Sequence, residues 1–512
     1  MSDTTSASVK RYARYLLVMA GLGGLIYGID VGVIAAALPY IRNTANYGKW
    51  ELGFVVSAVL WGSVASSLFA GSLAEWFGRK KIIIFSAFCF FISIPVICLS
   101  GLFEGGNFVL LTVGRTLQGA SAGLVGVVVP MYLAECLDSE SRGKGTGMFQ
   151  LLLTIGLAFA AVIGLVVTGL VGDSDKVIKA AAEANAVDVA EVTLANVRAW
   201  VEPERFASWV HAWQTIFLCS AVPGLILFLG AFRLKESPRW LYKRGRKDEA
   251  LASLAANNGE AKAKEILEEM IAADAEAEKE KAAIAAVAKG DSLFQRKYVY
   301  PFCLAVIILG CNQATGINSV LNYTVDIFKE TGMQGVFANF SDLAIKLVNV
   351  FMTIIACALV DKKGRKFLLK LGTGGIIAGL CGVGTVFLAI KSGIVAASLA
   401  TGIVATAFFF MFIAFYAVGP GVCVWLALSE LMPTRIRATG MSIAMIINQG
   451  VSATIASVFP AWVGSWGFAP VFYSLAAFTV IYFITAAFFL PETKGRTLEE
   501  IERYFATGKI DR

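Results

Sequence analysis

Glu75-Trp76-Phe77-Gly78-Arg79-Lys80-Lys81 and Asp361-Lys362-Lys363-Gly364-Arg365-Lys366 are two copies of one short basic signature, one in each half of the chain. Each begins where a long apolar run ends. Two further pairs repeat in the same order. Glu135 is followed seven positions on by Arg142, and Glu430 seven positions on by Arg437. Glu236-Ser237-Pro238-Arg239 closes the first half, and Pro491-Glu492-Thr493-Lys494 the second. The offset between copies is 286 for Glu75 and Asp361, 295 for Glu135 and Glu430, and 256 for Glu236 and Glu492; the last is shorter because only the first half carries an insertion at 172–212. An order kept twice over marks an internally duplicated membrane protein.

Composition agrees. Of 512 residues, 57% are hydrophobic and 16% charged, with mean hydropathy +0.70. A spanning helix takes ~20 apolar residues. Twelve such runs lie near 14–38, 53–75, 82–102, 108–132, 147–170, 213–233, 299–328, 340–360, 367–390, 396–428, 438–463 and 467–490. The first is too long for a signal-peptide core and no small-residue cleavage site follows, so it reads as a retained helix. The net charge of +7 is no nucleic-acid signal. The bases gather in alternate loops, at Arg79 to Lys81, Arg142 and Lys144, Arg233 to Lys247, Lys362 to Lys366, Arg435 and Arg437, and Lys494 and Arg496. That asymmetry predicts both termini in the cytoplasm of a cell (inner or plasma) membrane, with the lipid bilayer as the protein's surroundings.

Residues 1–233 form the first six-helix unit, with 172–212 as an outer loop. This loop is expected to hold a short surface helix, with Trp200, Trp209 and Trp213 at the headgroups. Residues 234–297 form a cytoplasmic connector. Its Ala261 to Lys289 stretch favours helix, with Glu265, Glu268 and Glu269 facing water. Residues 298–490 form the second six-helix unit and 491–512 a cytoplasmic tail. The nine cysteines lie mostly in apolar runs without a Cys-x-x-Cys pair, as small apolar filler. The lone His211 falls at the outer edge of the sixth run, an interfacial position. No metal site or cofactor is expected.

Ionisable groups inside spanning helices are rare and costly. Asp30 in the first run and Arg115 in the fourth both fall ~12–15 Å below the outer surface at 1.5 Å per residue. They are of opposite sign at one depth. Two readings fit: a static pair that fixes packing, or a pair that protonation of Asp30 opens. The second half supplies carboxamides: Asn312, Gln313, Asn318 and Asn322 in the seventh run, Asn349 in the eighth and Asn448 in the eleventh, joined by Gln150 in the fifth. Their depths converge on mid-bilayer. An amide both donates and accepts, as a sugar hydroxyl does, and Trp425 offers a flat face for C–H stacking. Singly, such amides also serve as glue between helices. Gly24, Gly28 and Gly32, and Gly119 and Gly123, permit close helix contact. Gly419-Pro420-Gly421 interrupts the tenth run.

These residues resemble the sugar porter family of the major facilitator superfamily, over nearly the whole chain. The resemblance rests on Gly78-Arg79-Lys80, Gly114-Arg115, Pro130-Met131-Tyr132-Leu133-Ala134-Glu135, Glu236-Ser237-Pro238-Arg239, Gln313-Ala314-Thr315-Gly316-Ile317-Asn318, Gly419-Pro420-Gly421 with Trp425, and Pro491-Glu492-Thr493-Lys494-Gly495-Arg496. It implies an all-α membrane protein of the major facilitator fold, with 12 transmembrane helices in two six-helix bundles and alternating access between them. It carries the family's sugar contacts onto Gln150, Gln313, Asn318, Asn349, Gly421, Trp425 and Asn448. It implies cytoplasmic ion pairs between the halves, Glu135 with Arg437 and Arg142 with Glu430, beside Arg79 and Arg365. Asp30 matches the position where proton-coupled sugar porters carry Asp.

The chain departs from the pattern at Asn312, Asn322, Ser220 and Leu157. Lys346 departs too; it either snorkels to the outer surface or meets Asp326 or an acidic sugar. The expected activity is uptake of a neutral monosaccharide, hexose or pentose, with proton symport. A facilitative uniporter and a non-transporting sugar receptor are the alternatives. No nucleophile–base set or metal cluster appears, which excludes an enzyme.

Overall fold

The computed structural model describes residues 2–136, 139–260, 262–272, 294–333, 335–433, 436–492, 500–501 and 504–505. Within those helices, the side chains of 2–8, 134, 139–147, 190, 357, 360–362, 425–430 and 437–439 lie outside the described residues. The first half holds α1 (Ser2–Thr44), α2 (Lys49–Phe77), α3 (Arg79–Ser100), α4 (Phe108–Cys136), α5 (Ser139–Val171), α6 (Ser174–Ala184), α7 (Leu194–Trp200) and α8 (Pro203–Ala231). The connector holds α9 (Pro238–Lys243) and α10 (Lys247–Asn258), followed by a helical stretch at 262–272 on which Glu265, Glu268 and Glu269 are exposed. The second half holds α11 (Arg296–Ala314), α12 (Ile317–Glu330), α13 (Val336–Lys363), α14 (Arg365–Lys391), α15 (Leu399–Val418), α16 (Pro420–Leu431), α17 (Arg437–Trp466) and α18 (Phe468–Ile484). Twelve spans among the described residues are long and apolar enough to cross a membrane. A regular helix satisfies its backbone polar groups within the segment, which is why apolar runs of this length fold this way in lipid.

Helices within each half pack most closely on one another: α1 on α5 and α8, α4 on α2 and α3, and, in the second half, α14 on α15 and α18 and α11 on α17. The halves meet through α2 on α17, α5 on α13 and α1 on α12. Small residues permit the tightest approaches. A Cβ added at Gly28 would lie 1.9 Å from the Leu153 carbonyl oxygen, and one at Gly119 2.0 Å from that of Val59. The glycine spacing in α1 and α4 therefore presses α1 on α5 and α4 on α2, backbone to backbone.

The repeated motifs turn out to bind each other. At the basic end of the molecule, Gly78 (φ +96) and Gly364 (φ +85) each break one helix and start the next. The backbone N–H groups of Arg79 and Lys80 donate to the Glu236 carboxylate at 2.9 and 3.1 Å. In the second half the Arg365 N–H donates to Glu492 at 3.1 Å. Each Glu thus satisfies the orphan donors and positive pole of a helix N-terminus. A Cβ at Gly78 would sit 2.3 Å from Glu236 Oε2, and one at Gly364 2.8 Å from Glu492 Oε2. Only glycine fits there, on both steric and φ grounds.

Several expectations are corrected. The run 299–328 is two helices, broken at Gly316, whose φ of +79 ends α11 and starts α12. The sixth run begins ten residues earlier, at Pro203, so His211 lies within α8, exposed, with Nδ1 3.2 Å from Gln214 Oε1. Trp209 and Trp213 are 0% and 4% exposed, packed in the core rather than at headgroups; they face inward because α8 is already helical there. The insertion holds two helices and a 3₁₀ turn at Val189–Glu191. Residues 261 and 273–289 of the expected connector helix lie outside the described residues.

Candidate functional site

The break at Gly316 builds the centre. Where α11 stops, Thr315 Oγ1 donates to the Asn312 carbonyl at 2.8 Å. Two residues after the left-handed glycine, Asn318 Nδ2 turns back to Gln313 Oε1 at 3.0 Å and to Ser452 Oγ at 2.7 Å. Gln313 Nε2 donates to Asn448 Oδ1 at 3.3 Å, and Asn448 Nδ2 to the Leu309 carbonyl at 2.9 Å. Three of the sequence-predicted amides, from α11, α12 and α17, thus form one connected cluster. Ser452, one turn beyond Asn448, completes it; as one of four serines on α17 it gives no sequence signal. Asn312 and Asn322 are buried with side-chain carbonyl oxygens that accept no hydrogen bond among the described residues. Such oxygens are costly unless a donor arrives, and a sugar hydroxyl is one. Gln150 on α5 and Asn349 on α13 are half-buried and lie outside this bonded cluster; the Asn349 carbonyl accepts from Thr353 Oγ1 at 2.7 Å. Gly421 sits where α16 begins, and a Cβ there would lie 3.1 Å from the Tyr416 carbonyl oxygen. The Trp425 side chain lies outside the described residues.

Asp30 and Arg115 do meet, though not as a closed pair. Asp30 is 0% and Arg115 1% exposed. The guanidinium Nη1 donates to the Asp30 backbone carbonyl at 3.2 Å and to Gln118 Oε1 at 2.9 Å. It lies 5.6 Å from the centre of the Phe217 ring. Neither carboxyl oxygen of Asp30 receives a hydrogen bond among the described residues, and Arg115 Nε and Gln118 Nε2 are also unpartnered. The two residues are not at equal distance from their helix ends either. Because α1 runs on to Thr44, Asp30 is about 21 Å along it, against about 10 Å for Arg115 from Phe108.

Lys346 does not snorkel. It is 0% exposed and its ammonium meets Asp342, itself 1% exposed, at 2.7 Å on the same helix. Asp342 was missed, because an acid within two turns of a helix start reads as interfacial until its partner is known. Asp326, the other suggested partner, binds Arg42 instead, at 3.1 and 3.2 Å.

That bond belongs to a latch at the end opposite the basic one. Arg42 of α1 holds Asp326 of α12 and Asp175 of α6 at 3.0 Å. Lys329 of α12 reaches Asp173 at 2.7 Å and Asp175 at 2.8 Å. Asp173 Oδ2 also accepts from the Gly335 N–H at 2.7 Å, and its Oδ1 from the Asp175 N–H at 3.1 Å, capping α6. Burial pushes the Asp175 carboxyl up, but Arg42 and Lys329 more than offset this and hold it well below the usual carboxylate range. Nearby, Trp61 Nε1 donates to Ser457 Oγ at 3.1 Å, and Ser457 Oγ to Ser57 Oγ at 2.7 Å. A Cβ at Gly53 would lie 2.2 Å from the Ser457 carbonyl oxygen. This end is sealed. None of these latch partnerships follows from sequence order, since Arg42 and Asp326 alone are 284 positions apart.

At the basic end, Glu135 accepts from Arg79 Nε and Nη2 at 2.9 and 2.8 Å, and from the Ser237 hydroxyl. Arg79 also holds Glu75 at 2.9 Å. The described partners of Glu135 therefore lie in its own half and the connector. The side chains of Arg142, Glu430 and Arg437 lie outside the described residues. Arg365 is placed by its N–H bond to Glu492.

A family model, "Sugar (and other) transporter", matches residues 16–505. The D-xylose transporter of Levilactobacillus brevis is 28% identical over 491 residues, 95% of this chain and 94% of that one. The arabinose-proton symporter of Bacillus subtilis is 28% identical over 94% of this chain and 93% of its own. Among solved structures, the inward open conformation of the xylose transporter XylE from E. coli superposes with TM-score 0.73 at 24% identity, covering 95% of this chain and 98% of that one. A match of this extent, over a fold of this kind, makes the chain a member of the sugar porter family of the major facilitator superfamily.

Proposed function

We propose that this multi-pass sugar transporter takes up a neutral hexose or pentose together with a proton. The bundles 1–233 and 298–490 rock about the amide cluster, and the basic end and both termini face the cytoplasm. The latched end is then the outer one and the structure is inward-facing. Arg142 with Glu430, and Glu135 with Arg437, close the inner end in the alternate state. The relatives named for xylose and for arabinose with protons support both halves of this reading.

The observation that carries it is the Asp30 carboxyl, buried with no donor to either oxygen among the described residues, while the adjacent guanidinium bonds the Asp30 backbone carbonyl and Gln118. An ionised carboxylate without hydrogen bonds is the costliest group to keep dry, and a proton removes that cost. Uncharged cluster amides offer donors and acceptors but no net charge, which suits hydroxyls and not ions. The test is uptake into proteoliposomes of radiolabelled glucose, xylose, galactose, fructose, inositol and glucuronate, with and without a protonophore. A neutral sugar accumulates and alkalinises the outside, and Asp30→Asn abolishes accumulation while leaving exchange. Initial rates indifferent to a collapsed pH gradient make the protein a uniporter, with Asp30 and Arg115 structural.

A further inference from the structure

Gln118 lies one turn beyond Arg115 on α4, 0% exposed, and nothing in the family motifs singles it out. Its Oε1 accepts a hydrogen bond from Arg115 Nη1 at 2.9 Å. Its Nε2 has no acceptor among the described residues. A buried amide with half its capacity unused is held for a purpose or for another state. We infer that Gln118 is the positioning residue of the proton switch: it parks the Arg115 guanidinium away from the Asp30 carboxyl while that carboxyl carries its proton.

The geometry supplies the reason. Arg115 cannot lose its own charge, so when Asp30 is neutral the guanidinium needs neutral acceptors. Gln118 Oε1 and the Asp30 carbonyl are those acceptors, and Phe217 covers the cation. When Asp30 ionises, a carboxylate outcompetes an amide for the guanidinium, because charge-assisted bonds are about twice as strong. Arg115 then swings from Gln118 to Asp30, and α4 is re-registered against α1. Few other ionisable groups face Asp30. From α1 comes Tyr27, within electrostatic reach. The described part of α5, Met148 to Val171, has none, and α8 brings Cys219 beside Phe217. On α12, Tyr323, Asp326 and Lys329 lie toward the latch. The balance at Asp30 therefore rests on Arg115, and the availability of Arg115 on Gln118.

This inference rests on the proton-carrier reading, and its test separates the two. The full chain is reconstituted in lipid, and the protonated-carboxyl stretching band that Asp30→Asn removes is followed by infrared spectroscopy from about pH 4 to 10. Gln118→Leu frees Arg115 to pair with the carboxylate, stabilises the charged form, and moves the titration about one unit toward acid. Gln118→Glu holds Arg115 with a charge of its own and moves it about one unit toward alkali. Gln118→Glu is isosteric, so it keeps the test alive if Gln118→Leu fails to fold. Equal titration in wild type and both variants overturns the role of Gln118 and leaves proton coupling intact. A wild-type band that never titrates overturns both.

Discussion

Asp342 and Lys346 are four residues apart on one helix and close at 2.7 Å; Asp30 and Arg115 come from two helices and do not close. Both sites bury one acid and one base. A pair within a single helix travels with it, so its separation is the same in every conformation. A pair astride α1 and α4 changes whenever those helices shift. The second half therefore holds a charge pair closed within one helix, whereas the first half holds one that, on the proposed reading, changes its geometry with state. Burial of charge alone does not mark a coupling site; the frame in which the two partners are fixed does.

The sharpest way to break this contrast is to unpair the closed site. Lys346→Met leaves a buried, uncompensated carboxylate and should cost about 3–5 kcal/mol, seen as a large drop in Tm of the detergent-purified protein. The double variant Asp342→Leu with Lys346→Met should recover most of it, since well-packed apolar residues replace buried pairs at little cost. A double variant as unstable as the single one would give this pair a role beyond neutralising itself.

A smaller effect is expected at the latch, where pairs join the two halves. Lys329→Gln removes charge-assisted bonds to Asp173 and Asp175 and should shift the equilibrium by about 1.5–3 kcal/mol toward the outward-open state. A cysteine in place of Asn322 would then label faster from outside. The pH sign follows from Asp175. Its folded carboxyl is depressed, so its contribution is whole above the unfolded value of about 3.9 and fades only as pH falls through the lower folded value. Wild-type labelling should be flat from about pH 7 to 5; acceleration across that window would give the latch another titrating group.

Smallest of all is the change in stability at the open site. Among the described residues, Asp30→Asn loses no hydrogen bond to its carboxyl oxygens, so Tm should hold or rise even as accumulation fails. A fall as deep as that of Lys346→Met would mean that the carboxylate has a structural donor, and the contrast between the two sites would vanish.

Much of this was written in the sequence. Hydropathy and the repeated motifs gave the duplicated bundles, because each apolar run is a local property of ~20 residues. The amides Gln313, Asn318 and Asn448 were recognisable as a set by depth. What escaped depended on contacts between distant segments. Nothing local says that Glu236 and Glu492 cap the helices begun at Gly78 and Gly364, although both motifs were in view. Ser452, Gln118 and Asp342 are ordinary polar residues until neighbours from other helices are placed beside them. Lys346 misled because a long side chain in an apolar run ordinarily finds water, and here an acid one turn away made that unnecessary. Trp209 and Trp213 misled because the start of α8 was set by hydropathy, whereas the helix begins in the polar residues before it.

The break at Gly316 leaves α12 as a short stiff rod hinged at one end. Asn318, which belongs to the amide cluster, stands at its root, and Asp326 and Lys329, which hold the latch, stand about 12 and 16 Å further along it. On the proposed uptake reading, a sugar hydroxyl that pulls on Asn318 would act on the short arm of a crank whose long arm carries the latch, and cargo and door would be geared together within fourteen residues.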